Sequence, residues 1–274
     1  MAIDRMTGKV VWLETLTSLH AGSGAALGAI DLPIQRERYT HWPLVPASSL
    51  KGVFRDAARQ GKLASERRLY GSEDRTALFA GALSFTDARI LLMPVRSLFG
   101  TYALVSCPMA LERWRRDALL VGDKIDVPPM NPKDGEIWVN ANTVLLDPGK
   151  AVLEEFELTG KTATLDALSS KMGVDAKRLA VVSDEQFGWF AEFATETVAR
   201  IGLEPGKKTV KKGALFYQEF VPAEALFYFL LLAQDSETEG VKVSAADNLK
   251  AFEPPKYLQF GGDETIGKGL CHVR

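Results

Sequence analysis

Histidine and cysteine are scarce in this chain. Its 274 residues include two cysteines, Cys107 and Cys271, and three histidines, His20, His41 and His272. These residues stand far apart in sequence, and their spacing is typical of neither a zinc site nor a disulfide framework. A structural zinc site is therefore not expected. The low cysteine content favours a reducing, cytoplasmic location.

A long apolar run is also missing. The longest one, ALFYFLLLA at 225–233, has about half of the roughly 20 residues that a membrane-spanning helix needs. The first residues, MAIDRMTGK, do not have the pattern of a signal peptide. With 46% hydrophobic and 25% charged residues, the composition is that of an ordinary globular protein that spans no membrane.

The chain has no excess of charge of either sign. Lysine and arginine total 33 and aspartate and glutamate total 35, so the overall balance gives no support for nucleic-acid binding. Basic residues are nevertheless concentrated locally. Eight lie between Arg36 and Arg68 against three acidic ones, and GKKTVKKG at 206–213 adds four lysines. This distribution predicts one basic face.

The first third of the chain predicts a strand, a long loop and a helix. Residues 9–19 are rich in β-branched and aromatic residues and indicate a strand. The glycine-rich loop that follows runs from His20 to about Pro46, and loops of this length are usually functional or disordered. Ser48 or Ser49 is expected to cap the next helix and Gly61 to end it.

The remaining patterns predict an α+β fold. Strands are expected at 81–95, 100–107, 213–221 and 256–260, helices at 108–120, 184–200 and 244–252, a hairpin of 136–146 with 151–160 across DPGK, and a strand or helix at 223–234. The initial order of strand, helix, strand, strand fits half of a ferredoxin-like β-α-β-β-α-β unit. Helices on one face of such a sheet would leave the other face free for RNA.

The segment FGGDETIGKGL at 260–270 leaves three interpretations open. It approaches the phosphate-binding pattern G-x-x-x-x-G-K-[ST], but Gly269 stands where the hydroxyl residue belongs and too few residues follow for a stable helix. A glycine-rich turn into a last strand is the second interpretation. The third is a backbone that approaches a sugar-phosphate chain closely, with Lys268 supplying charge.

Four segments together resemble a known family. HAGSGAALGAIDLPIQRE, PASSLKGVFR, GALSFTDARILLMPVRS and GGDETIGKG occur in this order and are similar to the signatures of the RAMP proteins of CRISPR systems. The combination most resembles the repeated backbone subunit of type III-B (Cmr) effector complexes. The resemblance implies a single domain over 1–274 with a modified ferredoxin-like, RNA-recognition core at about 9–120 and 213–274. Thumb and fingers elements would be inserted at about 121–212.

The resemblance implies RNA-guided cleavage of RNA. Copies of the chain would self-associate into a helical backbone on CRISPR guide RNA, together with other Cmr subunits, and would cut complementary target RNA at regular intervals. Two alternatives remain within the superfamily, a guide-binding subunit without catalysis and an endoribonuclease that processes precursor guide RNA. A nucleotide-binding enzyme is a third.

Asp31 and His20 are the catalytic candidates that the resemblance implies. Asp31 would be the nuclease residue and would hold a divalent cation, Mg²⁺ or Mn²⁺, while His20 would transfer a proton or contact phosphate. The alternatives are a turn or cap aspartate and a packed strand-end histidine. Glu219 is a candidate second acid, but Gln218 and Phe220 beside it depart from the family pattern.

The predicted RNA contacts belong to three segments. Lys51 and the start of its helix form an expected anion site, because bare helix N–H groups favour phosphate. The alternative is helix capping with a solvated basic face. The predicted RNA-binding residues are Ser48, Ser49, Lys51, Arg55, Arg96, Gly262, Gly267, Lys268 and Gly269. The roles of Glu219 and of the lysines in 206–213 stay open.

Overall fold

The computed structural model describes residues 7–72, 79–204, 206, 209–238 and 240–274. Lys207 and Lys208 of the lysine-rich segment therefore lie outside the described residues. The strands are β1 Thr7–Thr15, β2 Leu44–Val45, β3 Leu83–Phe85, β4 Ala88–Arg96, β5 Tyr102–Ser106, β6 Glu136–Val139, β7 Lys150–Leu153, β8 Phe156–Thr162, β9 Leu179–Val181, β10 Glu196–Leu203, β11 Val210–Phe220, β12 Leu226–Ala233, β13 Ser236–Thr238, β14 Val241–Val243, β15 Tyr257–Gln259 and β16 Leu270–Val273. The helices are α1 Ala47–Gln60, α2 Glu66–Tyr70, α3 Pro108–Leu120, α4 Asp166–Met172, α5 Asp184–Phe193 and α6 Ala245–Lys250.

One large sheet organises the described part of the chain. Its strand order is β15-β16-β1-β12-β4-β5-β9-β6-β8-β7, with β2 added on β4 and β3 on β12. The neighbours from β16 to β4 are all antiparallel. β10 and β11 pair with each other and form a two-stranded ribbon separate from this sheet.

The sheet is covered on both faces at its centre. Trp12 on β1 lies opposite Tyr228 on β12, and both of their rings lie on the side of α3, where Trp12 packs against Trp114. The next residue, Phe229, points the other way and packs against Phe54 of α1. The expectation of one free face for RNA is therefore wrong. The reason is visible in β12, whose sequence LFYFLLLA is apolar at every position, as strands buried on both faces are.

Buried polar contacts fix α3 to the sheet and to the long loop. Tyr228 donates a hydrogen bond to Asp117 at 2.9 Å, and Arg89 donates to the same carboxylate at 2.6 Å. Burial and the adjacent Asp117 carboxylate raise the pKa of the Tyr228 phenol well above its usual range. Arg113, also on α3, holds Glu37 of the long loop with two hydrogen bonds, one of them 3.0 Å long.

The middle of the chain corrects two predictions. β6 pairs in parallel with β8, and the antiparallel hairpin consists of β7 and β8 instead of 136–146 with 151–160. DPGK does form a turn, since the Asp147 N–H bonds to the Lys150 carbonyl at 2.9 Å, but that turn only leads into β7. The helix predicted for 184–200 ends at Phe193, because the β-branched stretch after it finds a strand partner in β11.

The central sheet continues through the region expected to be insertions. β9 pairs in parallel with β5, and β6, β8 and β7 extend the sheet from there. The segment 223–234, open between strand and helix from its sequence, is strand β12. Among the described residues, no helix has the length and apolar character to cross a membrane.

Candidate active site and RNA interface

The long loop, the chain at His20 and the terminal glycine loop all contact the last residues of β11. The long loop runs alongside β11, with the Leu32 N–H bonding to the Tyr217 carbonyl and the Glu219 N–H to the Leu32 carbonyl, both at 3.0 Å. The end of β1 reaches the same place, because Leu19 and Val221 form an antiparallel bridge. His20 and Asp31 are thereby brought to neighbouring positions along one strand.

Asp31 is partly exposed on this loop. Its Oδ2 accepts a hydrogen bond from the Tyr217 N–H at 2.7 Å, and its backbone carbonyl accepts one from the Ala26 N–H at 2.9 Å. No described residue bonds to Oδ1. One carboxylate oxygen thus fixes the side chain, and the other is available to a ligand.

His20 is buried with 8% of its surface exposed. Its Nδ1 lies 2.7 Å from the Glu219 carbonyl, and since a carbonyl oxygen only accepts, Nδ1 carries the proton. The ring packs against Phe220. Its Nε2 has no partner among the described residues and faces the backbone of Gly22, where an added Cβ would lie 2.6 Å from it.

His20 Nδ1 contacts Glu219, and Asp31 Oδ2 contacts Tyr217. These two partners lie two positions apart on β11. A strand rises about 3.3 Å per residue, so these anchoring points are separated by about 7 Å. The two side chains are therefore anchored close together on one strand.

Glu219 has both of its carboxylate oxygens engaged. Oε2 accepts from the Ile34 N–H at 3.0 Å, and Oε1 accepts from Arg36 Nη2 at 2.5 Å and from the Thr195 hydroxyl at 2.9 Å. The residue is 3% exposed. As a second catalytic acid it would first have to break these contacts, so the alternative of a structural strand residue is favoured.

The terminal glycine-rich loop packs directly on this assembly. A Cβ at Gly261 would lie 2.2 Å from the His20 carbonyl, and one at Gly269 would lie 1.9 Å from the Phe260 carbonyl. Glycine at 269 therefore serves the fold. Gly262 and Gly267 are exposed, and a side chain at Gly267 would meet open space.

The charges of this loop face β11. Asp263 accepts from Gln218 Nε2 at 2.6 Å and from Arg200 Nη2 at 3.2 Å, and Lys268 Nζ lies 4.8 Å from the centre of the Phe220 ring. Strand β16 begins at Leu270, with no helix after Lys268. The triphosphate-binding interpretation is therefore wrong, because no helix N-terminus is present to face the phosphates.

The start of α1 differs in detail from the prediction. The N-cap is Pro46, and neither Ser48 nor Ser49 caps the helix, so the expected capping by these serines is wrong. Asp87 Oδ1 accepts from the Ala47 N–H at 2.7 Å. Neither serine hydroxyl has a partner among the described residues. Gly61 ends the helix as expected.

Lys51 lies one turn further along α1 and is half-buried. It has no ion-pair partner among the described residues. Burial lowers the pKa of its ammonium group, and the positive charge of Arg55 lowers it further. Phe54 packs against Phe260 with ring centres 5.5 Å apart, which places this helix beside the terminal loop. An anionic group bound here would relieve the unfavourable charge of Lys51.

Arg55 and Arg96 are engaged by other parts of the protein. Arg55 Nε pairs with Glu66 at 2.7 Å and its Nη2 donates to the Gly71 carbonyl at 2.8 Å, so its side chain holds α2. Arg96 is 76% exposed and pairs with Glu154 at 3.2 Å. It stands eight residues along β4 from Ala88, about 26 Å from the strand end that supports α1. The structure does not bring it into the Lys51 site.

Sequence reasoning missed Arg36 and Gln218 as organising residues. Arg36 was visible only as one of several clustered basic residues, and Gln218 only as a departure from a family pattern. Their partners, Glu219 and Asp263, are 183 and 45 residues away in sequence. Spacing along the chain could not have indicated either contact.

The RAMP superfamily model matches residues 12–272 of this chain. The chain belongs to the RAMP superfamily. It is 35% identical over 287 aligned residues to the CRISPR system Cmr endoribonuclease Cmr4 of Pyrococcus furiosus, with 98% of this chain and 95% of that protein covered. It is 26% identical to the CRISPR system CMR subunit Cmr4 of Saccharolobus solfataricus, covering 97% of this chain and 96% of that protein.

Solved RAMP structures share the fold. The crystal structure of oligomeric Cmr4 from Pyrococcus furiosus superposes with a TM-score of 0.76 at 28% identity, covering 98% of this chain and 97% of the other. A chain in the cryo-EM structure of the type III-B Cmr-beta complex bound to cognate target RNA superposes with a TM-score of 0.79 at 22% identity, covering 97% and 96%. The mixed α/β architecture with its large sheet is therefore that of this superfamily.

Proposed function

We propose that this chain is the guide-RNA-binding backbone subunit of a type III-B CRISPR effector complex and cleaves guide-paired target RNA. The observation that carries the proposal is the position of Asp31 in a chain of this superfamily. Its Oδ2 is fixed by the Tyr217 N–H at 2.7 Å, and its Oδ1 has no partner among the described residues. A fixed carboxylate next to an RNA-binding surface is the arrangement that a nuclease site requires.

The guide is proposed to bind across α1 and the terminal loop. Lys51 and the N–H groups of Ser48 and Ser49, which have no partners among the described residues, supply an anion site for phosphate, while Asp87 accepts the N–H of Ala47. Lys268 adds a second cation, and Gly267 allows close approach of backbone to RNA because no side chain stands there. The packing of Phe54 on Phe260 holds α1 and the terminal loop next to each other.

Target cleavage is proposed to proceed by attack of a ribose 2′-hydroxyl on the adjacent phosphate. The products are then a 2′,3′-cyclic phosphate and a 5′-hydroxyl. Asp31 orients the reacting linkage through its open oxygen. His20 acts through Nε2, which accepts the 2′-hydroxyl proton, so the linkage has to reach the backbone of Gly22. The 5′-oxygen leaves as its bond to phosphorus breaks and takes a proton from water.

A divalent cation, Mg²⁺ or Mn²⁺, fits this site in one specific way. The described residues contain no cluster of three or more metal-binding side chains, so the protein alone does not enclose an ion. Mg²⁺ is commonly held by one or two carboxylates together with substrate phosphates and water. Asp31 can supply one such carboxylate, with Oδ1 as the ligand atom. The bound cation would offset the charge that develops on the phosphate.

The finer features of the fold are part of the proposal. We assign β16-β1-β12-β4, with α1 and α6, as the ferredoxin-like β-α-β-β-α-β unit, because this is the strand order of such a sheet. The β10–β11 ribbon is assigned as the thumb. It exposes Ile201, Val210 and Leu215 by more than half, which suits contact with bases or with a neighbouring copy in the helical backbone.

The proposed partners are guide RNA, complementary target RNA, other Cmr subunits and further copies of this chain. The cytoplasm is the proposed location. Cys107 and Cys271 are both free and buried, as expected in a reducing compartment, and burial raises the pKa of the Cys271 thiol to about 12.

Substitution of Asp31 in every copy of the complex tests this function. With end-labelled target, the wild-type complex is expected to give regularly spaced cuts and Asp31→Asn none, while both still bind guide and target. Asp126→Asn, at an exposed aspartate on a distant loop, is the matched control and is expected to cut normally.

The other outcomes identify the alternatives. Regular cuts by Asp31→Asn would remove Asp31 from the mechanism. A wild-type complex that binds target without cutting it would favour a non-catalytic backbone subunit. A single cut in repeat RNA incubated with the chain alone would favour processing of precursor guide RNA.

A further inference from the structure

Arg36 connects the long loop, α5 and β11 through a single guanidinium group. Its Nη1 donates to the His41 carbonyl at 2.6 Å and to the Ala191 carbonyl at 2.9 Å. Its Nη2 donates to Glu219 Oε1 at 2.5 Å and to the Glu192 carbonyl at 3.2 Å. The two α5 carbonyls belong to the last turn of that helix, where orphan carbonyls and the helix dipole favour a cation.

Glu219 provides the other half of this contact. Besides Arg36, its carboxylate accepts the backbone N–H of Ile34 at 3.0 Å and the hydroxyl of Thr195 at 2.9 Å. Ile34 and Arg36 lie three and five residues after Asp31, on the same loop. The carboxylate therefore holds this loop from the inside, through both its backbone and a side chain.

Without this clamp, the catalytic part of the loop is held by two short backbone pairings, with two hydrogen bonds between Leu32 and β11 and two between residues 33–35 and residues 21–23. The loop pairs with β11 as a single parallel bridge between Leu32 and Gln218 and with the preceding chain as one bridge between Gly22 and Ile34. Such short pairing specifies register weakly. The Asp31 carboxylate meets the Tyr217 N–H only in this register.

We propose that the Arg36–Glu219 ion pair, capped on the C-terminus of α5, is a positioning device that sets the place of the Asp31 carboxylate. Glu219 then acts on cleavage only through the loop. The proposal rests on the proposed function of Asp31. It differs from the role of a second catalytic acid, which would bring Glu219 to the reacting atoms.

The positioning role predicts a loss of rate without a loss of RNA binding. In Glu219→Gln the amide can accept only one of the two N–H groups, because its NH₂ group opposes either Ile34 or Arg36. A displacement of about 1 Å in a catalytic group can cost roughly 100-fold in rate, so we expect a decrease of about 10- to 100-fold in single-turnover target cleavage. Guide affinity should stay within about twofold of wild type.

Three further measurements separate positioning from direct catalysis. The pH–rate profile of Glu219→Gln should keep both of its limbs, lowered by the same factor at each pH, because no titrating group of the reaction is removed. Arg36→Lys should also slow cleavage, because lysine lacks the planar fork. The double variant should be no slower than the slower single variant, because both act on one contact.

Hydrogen exchange of the full chain without RNA supplies a test that does not depend on activity. Peptides covering 30–36 should exchange faster in Glu219→Gln than in wild type. Glu112→Gln and Arg115→Lys are the controls, since they alter an ion pair on the exposed surface of α3 and should change neither exchange at 30–36 nor cleavage. If Glu219→Gln does not fold, Thr195→Val removes one bond to the same carboxylate and should give a smaller change in the same direction.

The proposal is overturned if Glu219→Gln, or Thr195→Val in its place, leaves both exchange at 30–36 and cleavage at wild-type values. Loss of one limb of the pH profile would instead make Glu219 a reacting group. Cleavage that survives Asp31→Asn would refute the proposed function, and the exchange measurement would still decide whether the clamp holds the loop.

Discussion

At the scale of single residues, Lys51 and Arg55 lie on the same side of α1 but differ in their partners within the protein. Both were predicted to bind RNA as part of the basic helix start. Arg55 is bound by Glu66 and the Gly71 carbonyl, whereas Lys51 has no partner among the described residues and a lowered pKa. A charge whose interactions are satisfied within the protein stabilises the fold, and one that lacks a counterion attracts a ligand.

Alanine substitution should separate these two roles. We expect Arg55→Ala to lower the free energy of unfolding by about 1–3 kcal/mol, because Glu66 loses a partly buried partner, with little change in guide affinity. Lys51→Ala should weaken guide binding and leave stability nearly unchanged. Denaturant unfolding and guide titration of both proteins check this, and the reverse pattern would show that the two residues have been assigned the wrong way round.

The lowered pKa of Lys51 gives guide binding a pH dependence. Phosphate favours the charged ammonium, so affinity should fall as the pH rises through the lowered pKa, before an ordinary lysine would lose its proton. The stability of the free chain changes with pH in the opposite direction. Because the folded pKa lies below the unfolded value, the contribution of Lys51 to stability of the free chain rises with pH in this window.

Guide titrations in a series of alkaline buffers measure the effect. Lys51→Arg should bind guide with affinity that no longer falls in the same pH range, since arginine stays charged there. An identical decline in Lys51→Arg and wild type would place the titrating group elsewhere.

At the scale of elements, the terminal loop uses its glycines for different purposes. Gly267 and Gly269 have similar backbone angles, φ 74° and 72°. Only Gly269 is pressed against another backbone, the Phe260 carbonyl. Gly267 is thus required only by its left-handed backbone conformation. Gly269 is required both by that conformation and by its close packing against Phe260.

Alanine at the two positions forms a matched pair. Gly267→Ala should cost about 1–2 kcal/mol from the left-handed conformation. Gly269→Ala should cost a further 1–3 kcal/mol from overpacking against Phe260. Denaturant unfolding measures both changes. Equal losses would mean that the loop moves away from Phe260 without cost, and a specific loss of RNA affinity in Gly267→Ala would support its predicted contact with guide.

At the scale of the whole molecule, RNA has to be bound by a chain whose net charge is −2. The affinity then comes from a few localised cations and not from the overall field. Lys51 lies on α1 and Lys268 on the terminal loop, and these two segments pack together inside the protein through Phe54 and Phe260. Each phosphate contact that these lysines make should release counterions, and this release makes guide affinity depend on salt concentration.

The salt dependence of guide affinity tests this arrangement. Lys51→Met and Lys268→Met should each reduce the slope of log affinity against log salt by about 0.7, the value for one phosphate contact on a single strand. Lys124→Met, at an exposed lysine, is the control and should keep the wild-type slope. A slope that is unchanged in Lys51→Met would remove this residue from the guide path.

The sequence could predict the elements whose signals are local. The helix α3, the glycine that ends α1 and the strand at 213–220 follow from periodicity, propensity and turn chemistry, which depend on residues a few positions apart. The hairpin at 136–160 and the end of α5 were predicted wrongly. β6 pairs with β9, which lies outside the predicted hairpin, and in parallel with β8, and the stretch after α5 pairs with β11.

Alone, the sequence determined which segments matter: an unusually long loop with Asp31, a basic helix and a terminal glycine loop. Only the tertiary structure decided what their residues do. It tied Arg55 to Glu66, buried Glu219 under the loop and left Asp31 Oδ1 and Lys51 open. The physical reason is that pairing of a polar group depends on the register of strands far apart in the chain, here β11 against residues nearly 200 positions earlier, and no local pattern encodes that register.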